Sequence, residues 1–230
     1  MAGFIVAIDG KAGSGKSTTA KGVAKKLQFF YLDTGAMYRA FTLKYLRAKK
    51  GRNDDIDLNL IARLLKNTTI ELIKQNDDLK VFLDGEDVSK EIRSPEVNDL
   101  VSPISAIKEI RDWMVKRQRE IAQGKNIVCE GRDMATVVFP DAQVKIFMDA
   151  DLPTRAERRR KELQEKGIKI SFEESLNNLK YRDDYDSSRE HSPLRKADDA
   201  IVIDTTNLTI EQEIELVERI VREKLKTTTL

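Results

Sequence analysis

Cysteine and histidine occur once each in these 230 residues, as Cys129 and His191. A lone cysteine excludes internal disulfides, and one histidine leaves no ligand set for a zinc site built from Cys and His. Net charge is scarce as well. Lys and Arg number 41 against 39 Asp and Glu, a balance of +2, so no bulk field draws the chain onto nucleic acid or an anionic membrane. Any anion it binds is gripped locally. No run approaches 18 apolar residues, and the N-terminal stretch Phe4 to Ile8 is short, with no basic flank. Neither a membrane span nor a signal peptide is expected, and the expected location is the cytoplasm. What is plentiful is charge of both signs, 35% of residues, beside 40% hydrophobic residues. That composition excludes global disorder, and the length fits one core with room for a small insertion.

The pattern along the chain alternates strand and helix in the α/β manner. Phe4 to Ile8 is β-branched and unbroken, as in a strand buried on both faces of a parallel sheet, and a helix follows from Lys16 to Leu27. A short strand over Phe29 to Leu32 leads through Asp33-Thr34-Gly35 into a second amphipathic helix ending near Gly51. Between 67 and 89 the texture changes: Thr68 to Ile73 and Leu79 to Leu83 are strand-like around the turn Asn76-Asp77-Asp78, a small antiparallel insertion. Ser94-Pro95 opens a helix that Ser102-Pro103 interrupts or restarts, with Ile104, Ile107, Ile110 and Met114 at helical spacing as far as Gln123. Strands are expected at Asn126 to Glu130, Val144 to Met148 and Ala200 to Ile203. A charged helix is expected over Pro153 to Gly167, and capping-box pairs Ser171/Glu174 and Thr209/Gln212 open two more.

Gly10-Lys11-Ala12-Gly13-Ser14-Gly15-Lys16-Ser17 satisfies G-x-x-x-x-G-K-[ST] between a buried strand and a helix. Glycines let backbone N–H groups turn inward around phosphate oxygens, Lys16 reaches the β and γ phosphates, and Ser17 is placed to ligate Mg²⁺. With Thr18, these residues form the expected ATP cradle. The guanine-switch class is excluded: no aspartate stands three places before any of the 11 glycines, and no Asn-Lys pair is followed two places on by Asp. Moving a phosphoryl group between two phosphate-bearing substrates gathers negative charge, for which arginine forks are the natural counter-charge. Arg39, Arg132, Arg182 and Arg189 are candidates, read as lying in loops and at strand ends.

Asp9-Gly10, Leu32-Asp33-Thr34-Gly35-Ala36-Met37-Tyr38-Arg39, Asp84 to Ser89 with Glu91-Ile92-Arg93, Glu130 to Ala142, and Arg182-Asp183-Asp184 to Arg189 follow one another in this order. In these motifs the chain resembles the bacterial cytidylate kinases, and the resemblance covers nearly its whole length. It implies a P-loop NTPase fold with a parallel five-stranded core, a helical lid, and a monophosphate-binding region enlarged by the small antiparallel β insertion. It assigns the core to residues 1–35, 124–152 and 187–230, the monophosphate region to 36–123 and the lid to 153–186. It implies transfer of the γ-phosphoryl group of ATP to CMP or dCMP with Mg²⁺. Arg39, Arg132 and Arg189 would grip the acceptor's phosphate, Ser102, Arg111 and Asp133 would read cytosine, Arg182 and Asp186 would touch the sugar, and Thr34 would line the pocket. Lid arginines Arg155, Arg158 and Arg159 would close over the triphosphate, and a monomer acting on small nucleotides alone is expected.

The chain departs from the family pattern at Lys11-Ala12, where Pro-Ser is usual, at Glu130, where Asp is common, and at Ala135, where Gly is common. Trp113 is read as core rather than a stacking platform, Cys129 as a packed thiol, and His191 as no base. Three rivals stay open: a kinase for another small acceptor such as UMP or shikimate, a non-catalytic nucleotide-binding regulator, and a nucleic-acid binder with a local basic face.

Overall fold

The computed structural model describes residues 3–49, 55–76, 78–165 and 167–228. Gly51, where the second helix was expected to end, and Asp77 of the hairpin turn lie outside the described residues. In chain order the elements are β1 (Ile5–Gly10), α1 (Lys16–Leu27), β2 (Phe30–Asp33), α2 (Thr34–Ala48), α3 (Leu58–Lys66), β3 (Ile70–Gln75), β4 (Asp78–Leu83) and β5 (Glu86–Asp87). They continue as α4 (Pro95–Ala106), α5 (Lys108–Ala122), β6 (Ile127–Gly131), β7 (Val144–Asp149), α6 (Leu152–Glu165), α7 (Phe172–Ser188), β8 (Ile201–Asp204) and α8 (Ile210–Thr228). The chain divides into one unit of Met1–Tyr31 with Ala122–Leu230 and a second of Leu32–Ile121.

The first unit is built on a five-stranded sheet of order β2-β6-β1-β7-β8. β1 lies at its centre and pairs in parallel with β6 and with β7, and β7 pairs in parallel with β8. Covered on both faces, β1 is apolar without alternation from Val6 to Ile8. Val6, Ile8, Val128, Ile146 and Met148 of the sheet close on Ala20 and Val23 of α1 and on Val217 and Val221 of α8. Each such side chain contributes about 1.5–3 kcal/mol by leaving water. α6 and α7 also belong to this unit. Ser171 and Glu174 complete the expected capping box at the start of α7, and Thr209 and Gln212 exchange the same pair of bonds before α8.

In the second unit, Asp33 accepts the Ala36 N–H and caps α2, whose Met37, Phe41 and Tyr45 are fully buried at helical spacing. β3 and β4 pair antiparallel with buried Ile70, Leu72, Val81 and Leu83, and β5 adds a short third strand. Trp113 of α5 is half-buried, its ring 6.2 Å from that of the buried Phe41 and 5.5 Å from the Arg117 guanidinium.

Two expectations are corrected. Pro103 does not break the helix where it stands: α4 runs through it to Ala106 and the break falls at Ile107. Proline removes its own N–H bond and crowds the turn before it, which a helix about to end tolerates. α3 was not expected at all. It is capped by Asp57, which accepts the Leu60 N–H, and Leu60, Ile61, Leu64 and Leu65 recur at helical spacing, so an apolar stripe is present in its sequence.

Candidate active site

The phosphate cradle stands where β1 turns into α1. Gly10 has φ of +151°, and a Cβ there would lie 2.0 Å from the Met148 carbonyl oxygen, so β7 packs too close for any side chain. Gly15, at φ +91°, caps α1 in the left-handed conformation. Lys16 is buried and donates to the Lys11 carbonyl at 2.6 Å, across the loop. Burial, with the Arg132 charge, pushes its ammonium down to about 7. The extra cation Lys11 turns away to an ion pair with Asp149, 3.0 Å.

Two carboxylates meet this loop from neighbouring strand ends. Glu130 of β6 accepts the Ser17 hydroxyl at 2.7 Å. Asp9 of β1 is 1% exposed and accepts the backbone N–H groups of Met134 and Ala135, each at 2.8 Å. Neither was singled out as a site residue from the sequence, although an acid closing a β-branched run of a parallel sheet is itself a signal. A hydroxyl and a carboxylate side by side are hard oxygen donors that fit Mg²⁺. Among the described residues no group of three or more His, Cys, Asp and Glu could hold a metal, so such an ion would take most of its ligands from the nucleotide and water.

Downstream of β6, the first unit gathers the expected acceptor residues about one carboxylate. Asp186 accepts the Arg132 Nε at 2.7 Å through one oxygen and the Arg189 guanidinium at 2.8 Å through the other. Arg182 adds its charge from the same helix. Burial opposes ionisation of Asp186, yet Arg132 and Arg189 outweigh it and hold the carboxyl below its ordinary value. The expected sugar contact is thus also the counter-charge that keeps two guanidinium groups together. Asp133, buried, follows Arg132, and its backbone carbonyl accepts the Val137 and Val138 N–H groups of the π-helical turn Met134–Val138.

Within the second unit, Thr34, Ser102 and Arg111 are buried. Arg39 reaches the Asp33 carboxylate at 3.6 Å, and Arg111 donates to the Ser105 carbonyl at 3.0 Å with its guanidinium 5.6 Å from the Tyr38 ring. Of the candidate arginines, Arg39 and Arg182 sit inside α2 and α7 rather than in loops, which corrects the expectation. Only Arg132 leaves a strand end, and Arg189 caps the C-terminus of α7.

The expected lid arginines are engaged inside the first unit. Arg155 is buried and donates to the Ala12 carbonyl of the cradle at 3.0 Å, to the Ala150 carbonyl at 2.9 Å and to Asp183 at 2.6 Å. Arg158 donates to the Thr205 carbonyl at 2.7 Å, and the Thr205 hydroxyl donates to the Ser14 carbonyl at 3.1 Å. Arg159 pairs with Glu162. The cradle is therefore buttressed from α6.

The cytidylate kinase family model matches residues 6–223. The chain belongs to the cytidylate kinase family. It is 50% identical over 221 residues to the cytidylate kinase of Caldanaerobacter subterraneus subsp. tengcongensis, covering 96% of each chain. The cytidylate kinase of Fusobacterium nucleatum subsp. nucleatum is 50% identical over 226 residues, 98% of this chain and all of that one. A third, from Carboxydothermus hydrogenoformans, is 48% identical over 209 residues, 91% of this chain and 93% of its own. Among the described residues no helix is long and apolar enough to cross a membrane.

Proposed function

We propose that this member of the cytidylate kinase family, an enzyme, transfers the γ-phosphoryl group of ATP to CMP or dCMP. The observation that carries the reading is the cluster in which Asp186 holds Arg132 and Arg189, in the same unit as the phosphate cradle, with the buried Asp133 next after Arg132 in the chain. Guanidinium forks match phosphate geometry, and a carboxyl group beside them suits the exocyclic amine of cytosine. Arg39 would add a third fork to the acceptor's phosphate, Ser102 and Arg111 further contacts to the base, Arg182 and Asp186 the sugar contacts, and Thr34 a pocket wall.

The nucleophile is an oxygen of the acceptor's own phosphate. Its second pKa near 6 leaves it largely dianionic at pH 7, so no protein base is needed. What the chain supplies is position and charge. Lys16 and the loop amides orient the triphosphate, the arginines aim the attacking oxygen, and the helical region 153–186 would act as a lid that shuts out competing water. Ser17 and Glu130 would hold Mg²⁺, which when bound neutralises charge on the phosphates.

A coupled assay of ADP release with CMP, dCMP, UMP and AMP in parallel tests the proposal. Rapid release with CMP and dCMP, and slow release with AMP, is expected. Faster release with UMP or AMP than with CMP or dCMP would assign the cradle to another acceptor, and no acceptor-dependent release would leave only nucleotide binding.

A further inference from the structure

Asp9 is an acid in the central strand of a sheet covered on both faces, where an ionisable group is costly unless every oxygen is satisfied. Its two oxygens serve two successive backbone N–H groups, those of Met134 and Ala135. The same residue stands opposite Gly131 in the parallel ladder between β1 and β6. The segment from Gly131 to Met134 is therefore tied to Asp9 at both ends, through the ladder at one end and the side chain at the other. Only two residues lie between the ties, and they are Arg132 and Asp133. On its other side Asp9 is followed by Gly10, where the phosphate cradle begins.

We propose that Asp9 is a positioning residue: by holding the backbone on both sides of Arg132 and Asp133 it fixes those side chains relative to the donor cradle that starts at the next residue. The proposal rests on the reading of Arg132 and Asp133 as acceptor contacts. Asp9 touches neither phosphate in this account, and its effect passes through the chain it holds. Burial pushes its carboxyl up to about 7, aided by the Asp133 charge and opposed by the two N–H groups and by Lys16. The groups it faces are thus those of the site itself.

The test compares wild type, Asp9→Asn and Asp133→Ala in steady-state kinetics with each substrate varied. Asparagine keeps the shape but turns an NH₂ toward one of the two N–H groups, so one charge-assisted bond is lost. KM for CMP rises about tenfold, and KM for ATP stays within about twofold. A variant that merely folds less well loses kcat with both KM values unchanged, and that result overturns the proposal. So does an equal rise in both KM values. Asp133→Ala separates the two layers of the argument: if it raises KM for CMP while Asp9→Asn does not, positioning alone is wrong. If Asp133→Ala leaves KM for CMP untouched, the acceptor reading fails and the proposal falls with it. Should Asp9→Asn not fold, amide hydrogen exchange on the wild-type protein decides: Met134 and Ala135 are expected to be protected without nucleotide, and rapid exchange at both overturns the tie.

Discussion

Replacing Asp186 with asparagine removes one negative charge from between two guanidinium groups while leaving the side chain's volume in place. Both carboxylate oxygens are in use, at 2.7 Å to Arg132 and 2.8 Å to Arg189, and the Asp186 and Arg189 side chains are 7% and 4% exposed. Water cannot take over for the missing charge at that depth. Removing one partner of a buried ion pair costs about 3–5 kcal/mol, and the low end of that range applies here because Arg189 stays buried while the Arg132 side chain is 20% exposed. For a chain of this size that corresponds to a fall of about 10 °C in Tm. Thermal and urea unfolding of Asp186→Asn and wild type, each with and without inorganic phosphate, provides the assay. Phosphate, as a replacement counter-charge, should restore more stability to the variant than it adds to wild type. The sign with pH follows from the depressed carboxyl of Asp186: its contribution is complete above the ordinary carboxylate range and is lost as pH falls through the lower folded value. The variant should lack that part of the acid limb. A loss below about 1 kcal/mol, the worth of a solvent-exposed pair, with no rescue by phosphate, would refute the reasoning.

Two further outcomes follow from the cradle. Lys16→Ala should lower turnover about a hundredfold or more while the far-UV spectrum stays that of a folded chain, since the ammonium that bridges the cradle to the Lys11 carbonyl is placed to meet the donor's phosphates; near-normal turnover would remove Lys16 from the reaction. Because burial, with the Arg132 charge, holds the Lys16 ammonium down to about 7 in the free protein, ATP restores its charge, takes up a proton near pH 8, and binds more weakly as pH rises through that value. Calorimetry in two buffers of different ionisation enthalpy reads the proton directly, and zero uptake would contradict the assignment.

The parts legible in the sequence are those whose signal is local. The bounds of α1 are legible because Gly15 and Lys16 belong to one motif and Leu27 ends the apolar spacing. The capping box at Ser171 is likewise written in four consecutive residues. The candidate arginines were picked for their chemistry, yet Arg39 and Arg182 were placed in loops when they ride on α2 and α7. Polar neighbours such as Asp33-Thr34-Gly35 read as a loop when Asp33 is in fact a helix cap. Helix α3 is absent from the expected elements although its signal is local too, an Asp57 cap followed by Leu60, Ile61, Leu64 and Leu65 at helical spacing. Asp9 and Glu130 carry no local signal of their partners. Their partners, Met134, Ala135 and Ser17, lie 113 to 126 positions away in the chain, and only the pairing of β1 with β6 brings them together.

The account stands or falls on where the acceptor's phosphate goes. A crystal structure of the protein with CMP measures this most directly. The prediction is that the phosphate lies within hydrogen-bond distance of the Arg132 and Arg189 guanidinium groups, with the cytosine edge on Asp133. Finding CMP with its phosphate seated in the loop from Gly10 to Ser17 instead, and the arginines still closed on Asp186 alone, would contradict it.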